Sequence, residues 1–148
     1  MSQLERLIYV SQASKDLRSA SIQKIINISH LHNQMADITG LLVHDDGYFL
    51  QILEGAPSDV EATYERISRD RRHFNCQLLL AQPIVQRAFP KWMMGFRDRE
   101  TLFNEEGLTL LELGAICEAA DRTDLHQNRA LYAFLTSLLE RFTQKAAA

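Results

Sequence analysis

The sequence predicts an α+β fold, a ferredoxin-like sheet in β-α-β-β-α-β-β order with two helices on one face. Three observations carry this. Apolar runs of strand length recur at 4–11, 38–44 and 47–55. Helical patterns fall between the first and second runs and after the third, where that order needs them. The turn Asp45-Asp46-Gly47 joins the second and third runs as a hairpin, because glycine accepts the positive φ such turns use.

The elements follow in order. LERLIYVS at 4–11 has a continuous apolar centre and reads as a strand. Residues 20–34 read as a helix whose stripe is Ile22, Ile25, Ile26, Ser29 and Asn33. ITGLLVH at 38–44 and GYFLQILEG at 47–55 are the hairpin strands. Pro57 and Ser58 open the second helix, and Ser58 with Glu61 has capping-box spacing. Val60, Tyr64 and Ile67 form its inward row. Residues 77–88 and 92–97 read as two further strands, interrupted by Pro90. Residues 108–120 and 126–142 read as amphipathic helices, the second striped by Leu131, Phe134, Leu135, Leu138, Leu139 and Phe142. These are expected to cover the sheet's bare face, to pair with another subunit, or both. The expected division is a domain over 1–97 and a helical extension over 98–148.

Composition narrows the function. The 148 residues suit one domain with a full core. No run approaches the roughly 20 apolar residues of a membrane span, and no secretion leader is expected. Two cysteines, Cys76 and Cys117, do not make a disulfide framework, so a cytoplasmic setting is expected. The net charge is −3. Eight acids against two arginines between Asp98 and Asp124 give −6 there and leave +3 elsewhere. Nucleic acid is therefore not an expected partner. His30 and His32 are two apart on a helix, the wrong spacing for one face, and His44, His73 and His126 are scattered, so no metal site is read.

Three polar residues sit where the pattern is apolar. Strand alternation puts Tyr48, Leu50 and Ile52 on one face and Phe49, Gln51 and Leu53 on the other. Both rows are apolar except for Gln51. Tyr9 lies between Ile8 and Val10, and Asn33 ends the isoleucine stripe. A buried amide without a partner costs about 1–3 kcal/mol, so Gln51 should face a polar group. All three could face the gap between sheet and helices, and a polar network stitching the core would also account for any one of them.

Five segments together carry a family resemblance: LIYVSQAS at 7–14, HNQMADITGLL at 32–42, FLQILEG at 49–55, YERISRDRRH at 64–73 and FPKWMMGF at 89–96. In this order and spacing they resemble the BLUF domain, the blue-light sensor that uses FAD, over about two-thirds of the chain. The resemblance implies roles. Tyr9 matches the photoactive tyrosine, and Gln51 the glutamine between it and the flavin. Asn33 matches the asparagine on the ring edge, with Ser29 and His32 beside it. Ile25, Phe49 and Ile67 would line the ring pocket. Asp70, Arg72 and His73 match residues near the ribityl and phosphate end. Trp92 and Met94 match signal-relay positions on the last strand. Met93 stands where many relatives have a small polar residue, a departure that bears on how the tryptophan swings.

The implied function is a photoreceptor, not an enzyme, that signals to a protein partner or through a homo-oligomer. Two alternatives are a flavin-dependent oxidoreductase and a chromophore-free ferredoxin-like binding module. The first is disfavoured by the absence of any G-x-G-x-x-G loop. Asn75-Cys76 shares two residues with the flavin photoreceptors in which a cysteine bonds the ring. The surrounding motif is missing, and Cys76 reads as a core residue entering a strand.

Overall fold

The computed structural model describes residues 3–14, 24, 32–33, 35–45, 47–87, 95–97 and 133. Their strands are β1 (Leu4–Ala13), β2 (Thr39–Asp45), β3 (Tyr48–Gly55), β4 (His73–Ile84) and β5 (Gly95–Arg97), with helix α1 (Pro57–Ser68) between β3 and β4. Lys24, His32, Asn33 and Met35 are also helical. The sheet order is β4-β1-β3-β2-β5. Four strands are antiparallel, and β5 joins β2 in parallel rather than completing an all-antiparallel sheet.

β1 lies inside the sheet, between β4 and β3, and its centre is apolar on both faces. Residues from Arg6 to Ser11 are all buried. It pairs with β3 in one unbroken register, Glu5 opposite Gly55 through Gln12 opposite Tyr48. The β2–β3 hairpin closes with Asp45 opposite Tyr48, and Gly47 takes φ +82°, as the turn residues predict. Gly40 is forced by contact. A Cβ there would sit 1.8 Å from the Ile52 carbonyl oxygen, and its φ is +157°.

Two features differ from the sequence reading. Strand β4 starts at His73 and ends at Ile84, four residues earlier at each end than expected. Its register against β1 shifts twice, and Asn75 lies in one shift with φ +53°. Bulges break the period-2 signal by which a strand is read. Helix α1 begins at Pro57 with Ala56 as N-cap, and no side chain caps it. Ser58 lies inside the first turn, so the expected Ser58–Glu61 box does not form. Pro57 opens the helix as expected, since its missing N–H and fixed φ suit the first helical position, and this leaves Ser58 past the cap.

The core on the helix side joins Leu7, Tyr9, Ile38, Leu42, Phe49, Leu53 and Val60, with Tyr64, Ile67 and Cys76 packed against it. The other face of the sheet is equally buried, through Ile8, Val10, Leu41, Val43, Leu50 and Ile52. Of the expected C-terminal helices only Ala133, which is helical, is described; the rest lie outside the described residues. Among the described residues, no helix is long and apolar enough to cross a membrane.

Candidate functional site

Register assembles the site. Tyr9 on β1 stands opposite Gln51 on β3, and Gln51 stands opposite Leu42 on β2. Side chains of paired residues share a face. Tyr9, Gln51 and Leu42 therefore form a row across the sheet, on the side where α1 packs. Gln51 is only 3 % exposed and Tyr9 only 2 %. The Tyr9 hydroxyl donates to Gln51 Oε1. Among the described residues, no buried side-chain polar atom lacks a partner. Burial pushes the Tyr9 phenol well above its usual range, and the neighbouring Cys76, Tyr64 and Asp70 add to the shift. The phenol is thus neutral and a donor at physiological pH.

A cleft opens between this row, α1 and the α1–β4 turn. It is lined by Tyr9, His32, Leu42, Phe49, Gln51, Arg66, Ile67, Asp70, Arg72 and His73. Its space, open mouth included, is about 750 Å³. Leu42, Phe49 and Ile67 supply apolar walls. His73 braces the floor: one ring nitrogen lies 2.6 Å from the Ile67 carbonyl and the other 2.8 Å from Ser11 Oγ. A carbonyl only accepts, so Nε2 carries a hydrogen. The His73 ring meets Phe49 nearly edge-on, with centroids 6.4 Å apart.

The mouth is charged. Arg72 holds Asp70 through Nε at 2.9 and 3.0 Å and through Nη2. The Arg72 backbone N–H also donates to Asp70 Oδ1 at 3.0 Å. The Arg72 side-chain bonds hold the Asp70 carboxyl below its usual range, against partial burial. The same bonds raise Arg72.

The fold therefore brings together eight of the expected residues: Tyr9, Gln51, His32, Phe49, Ile67, Asp70, Arg72 and His73. Asn33 is 2 % exposed, and its carbonyl accepts the Ile38 N–H at 2.8 Å. It is buried, and it is not one of the lining residues of the cleft. Ile25, Ser29, Trp92 and Met94 lie outside the described residues. Sequence reasoning missed Leu42 and Arg66. Leu42 was findable, since hairpin register places it opposite Gln51. Arg66 had no signal apart from its position one residue before Ile67.

The geometry suits a planar, polar-edged ring, and the comparisons agree. The family model described as sensors of blue-light using FAD matches residues 4–95. This chain belongs to the BLUF family. It is 34% identical over 95 residues to the blue light- and temperature-regulated antirepressor BluF of Escherichia coli, covering 64% of this chain and 24% of that one. It is 30% identical over 96 residues to the photoactivated adenylate cyclase subunit alpha of Euglena gracilis, covering 63% of this chain and 9% of the relative. Its match thus spans a quarter or less of those two relatives. Among solved structures it resembles the dark state of BlrB, a BLUF protein, with TM-score 0.65 and 27% identity over 95% of this chain and 98% of that one. That family is described as one of flavin-using blue-light sensors.

The described residues fit that cofactor. Apolar side chains offer faces for the ring, and Gln51 carries both donor and acceptor for its edge. Arg66, Arg72 and Asp70 offer polar contacts for a ribityl and phosphate chain.

Proposed function

We propose that Tyr9 and Gln51 are the photoactive pair and that FAD is the flavin held in the cleft. The observation that carries this is the buried hydrogen bond from the Tyr9 hydroxyl to Gln51 Oε1. When bound, flavin absorbs blue light and becomes a strong one-electron oxidant. Tyr9 loses an electron and passes its phenolic proton to the Gln51 amide. An amide holding donor and acceptor on one rotatable group can return that proton in a different arrangement. Tyr9 then regains its electron and proton, while Gln51 keeps the altered bonding. A donor newly aimed at a ring carbonyl shifts the absorption slightly to the red. Asn33, Ser29, His32, Ile25, Phe49 and Ile67 would position the ring, and Asp70, Arg72 and His73 its chain.

The output is a change in a two-state element biased by that local rearrangement. Met94 and Trp92 are the proposed relay toward the acidic extension at 98–148, with 1–97 as the sensing unit. The chain would then act on a protein partner or through its own assembly, in the cytoplasm, without turning over a substrate.

The test is the visible spectrum in the dark and after a blue flash. A flavin spectrum that shifts slightly red and relaxes in darkness is expected. Tyr9→Phe and Gln51→Leu should each abolish the shift while the protein stays yellow. A shift that survives either substitution overturns the assignment. Chromatography of the released chromophore separates FAD from FMN and riboflavin.

A further inference from the structure

Tyr9 has a neighbour that is held from two sides. The rings of His73 and Tyr9 have centroids 6.2 Å apart at 62°, within the range of aromatic contact. A histidine ring swings about its side-chain torsions unless its nitrogens are tied, and here both are. Nε2 donates to the Ile67 carbonyl at 2.6 Å, near the end of α1. Nδ1 lies 2.8 Å from Ser11 Oγ on β1. Ser11 is fully buried, and strand alternation puts it on the same face as Tyr9. It does not line the cleft. Among the described residues, its hydroxyl has no other hydrogen-bond partner. With the hydrogen of the ring on Nε2, Nδ1 accepts, so Ser11 donates to it and fixes the tautomer.

We infer that Ser11 is a positioning residue for the photoswitch, which acts through His73 to hold the Tyr9 phenol against Gln51 and so slows recovery in the dark. The inference rests on the proposed pairing of Tyr9 with Gln51. The brace spans three elements: β1 through Ser11, α1 through Ile67, and β4, which His73 opens. The His73 ring is packed as well as bonded, since it meets Phe49 nearly edge-on, and Phe49 is the register partner of Ser11 on β3. With both nitrogens engaged, His73 presents its ring surface to the cleft.

The effect on recovery follows from where the amide must move. Gln51 leaves the switched state by turning back beneath the Tyr9 hydroxyl, its hydrogen-bond partner in this structure. A phenol that cannot shift aside raises the barrier to that turn. Without the Ser11 hydroxyl, His73 keeps one anchor and pivots about its bond to Ile67. Tyr9 then gains room, and the amide turns back sooner.

The test times the decay of the red shift after a blue flash, in the flavin-loaded full chain. Ser11→Ala should keep the flavin and the shift and recover about two- to tenfold faster, the factor that one hydrogen bond carries. Ser11→Cys keeps a weaker donor. It should recover at a rate between the two, and it carries the test if Ser11→Ala does not fold. Val10→Ala removes buried bulk beside Tyr9 on the opposite face. It should lower the thermal midpoint and leave the recovery rate as it is. A wild type that shifts and relaxes, with serine variants that relax at its rate or more slowly, overturns the brace alone. So does an equal acceleration in Val10→Ala, which would trace the effect to lost packing. A wild type with no reversible shift overturns the brace together with the assignment of Tyr9 and Gln51.

Discussion

A glutamine buried to 3 % exposure in an apolar strand is met by a phenol that β1 brings opposite it. That pairing was legible at the residue scale, since alternation exposed Gln51 as an anomaly and the motif supplied Tyr9. The Asp70–Arg72 pair makes a different kind of prediction. Arg72 lowers the Asp70 carboxyl from its ordinary value, so folding favours the ionised form. The resulting stability is complete above the unfolded value, about 3.9 for aspartate. It is lost as pH falls through the lower folded value. The two side chains are 37 % and 31 % exposed, which limits the pair to below about 1 kcal/mol. Thermal midpoints of wild type and Asp70→Asn should differ by a few degrees at pH 6. The gap should close as the pH drops toward 2, and a constant gap would mean that Asp70 acts through packing. The two register shifts of β4 against β1 were not legible, because bulges leave no periodic trace.

At the scale of elements, the three central strands were legible because strands buried on both faces read as continuous apolar runs. The start of α1 at Pro57 was legible but its cap was not, since a proline at the first helical position leaves Ser58 inside the first turn. Gly40 shows what sequence reasoning cannot supply. In the segment Ile38-Thr39-Gly40-Leu41-Leu42 it looks like a strand glycine of uncertain purpose. Its reason is the Ile52 carbonyl, 1.8 Å from where a Cβ would lie. A backbone oxygen inside a three-strand ladder cannot move aside. Gly40→Ala must therefore break the β2–β3 pairing near Leu53, its register partner. The expected loss exceeds about 3 kcal/mol, read from the urea midpoint at unchanged slope. Gly47→Ala is a useful contrast. It has open space around it, and strain at φ +82° is its only penalty, so about 1 kcal/mol is expected. Equal losses at the two positions would show that φ, and not contact, governs Gly40.

The molecule as a whole is fastened at one end of the sheet by two arginines. Arg6 and Glu54 form an ion pair at 2.9 Å, on the face opposite Tyr9, with Glu54 fully buried. Beside it, Arg87 leaves the end of β4 and reaches across to the β2 and β3 termini. Its Nη1 donates to Thr39 Oγ1 at 2.9 Å and to the Glu54 carbonyl at 3.0 Å. Its Nη2 donates to the Asp37 carbonyl at 2.8 Å and to Asp37 Oδ2 at 3.2 Å. One guanidinium therefore ties three chain segments distant in sequence, which no local pattern could announce. The contributions of its partners are unequal. The Asp37 carboxylate is 85 % exposed while the Arg87 side chain is 15 % exposed. Water screens the ion pair, so the bonds to the Thr39 hydroxyl and to the two carbonyls should dominate. Charged hydrogen bonds contribute about 1.5–3 kcal/mol each when well placed, and orphaned acceptors add to the loss. Arg87→Ala should cost about 2–4 kcal/mol, whereas Asp37→Ala should cost less than about 1 kcal/mol. Arg87→Lys should fall between them, because an ammonium cannot reproduce the planar fork. Urea denaturation of the three variants, followed by far-ultraviolet circular dichroism, reads these values. Equal losses in Arg87→Ala and Asp37→Ala would reduce the clamp to a surface ion pair and leave the end of β4 held by its ladder alone.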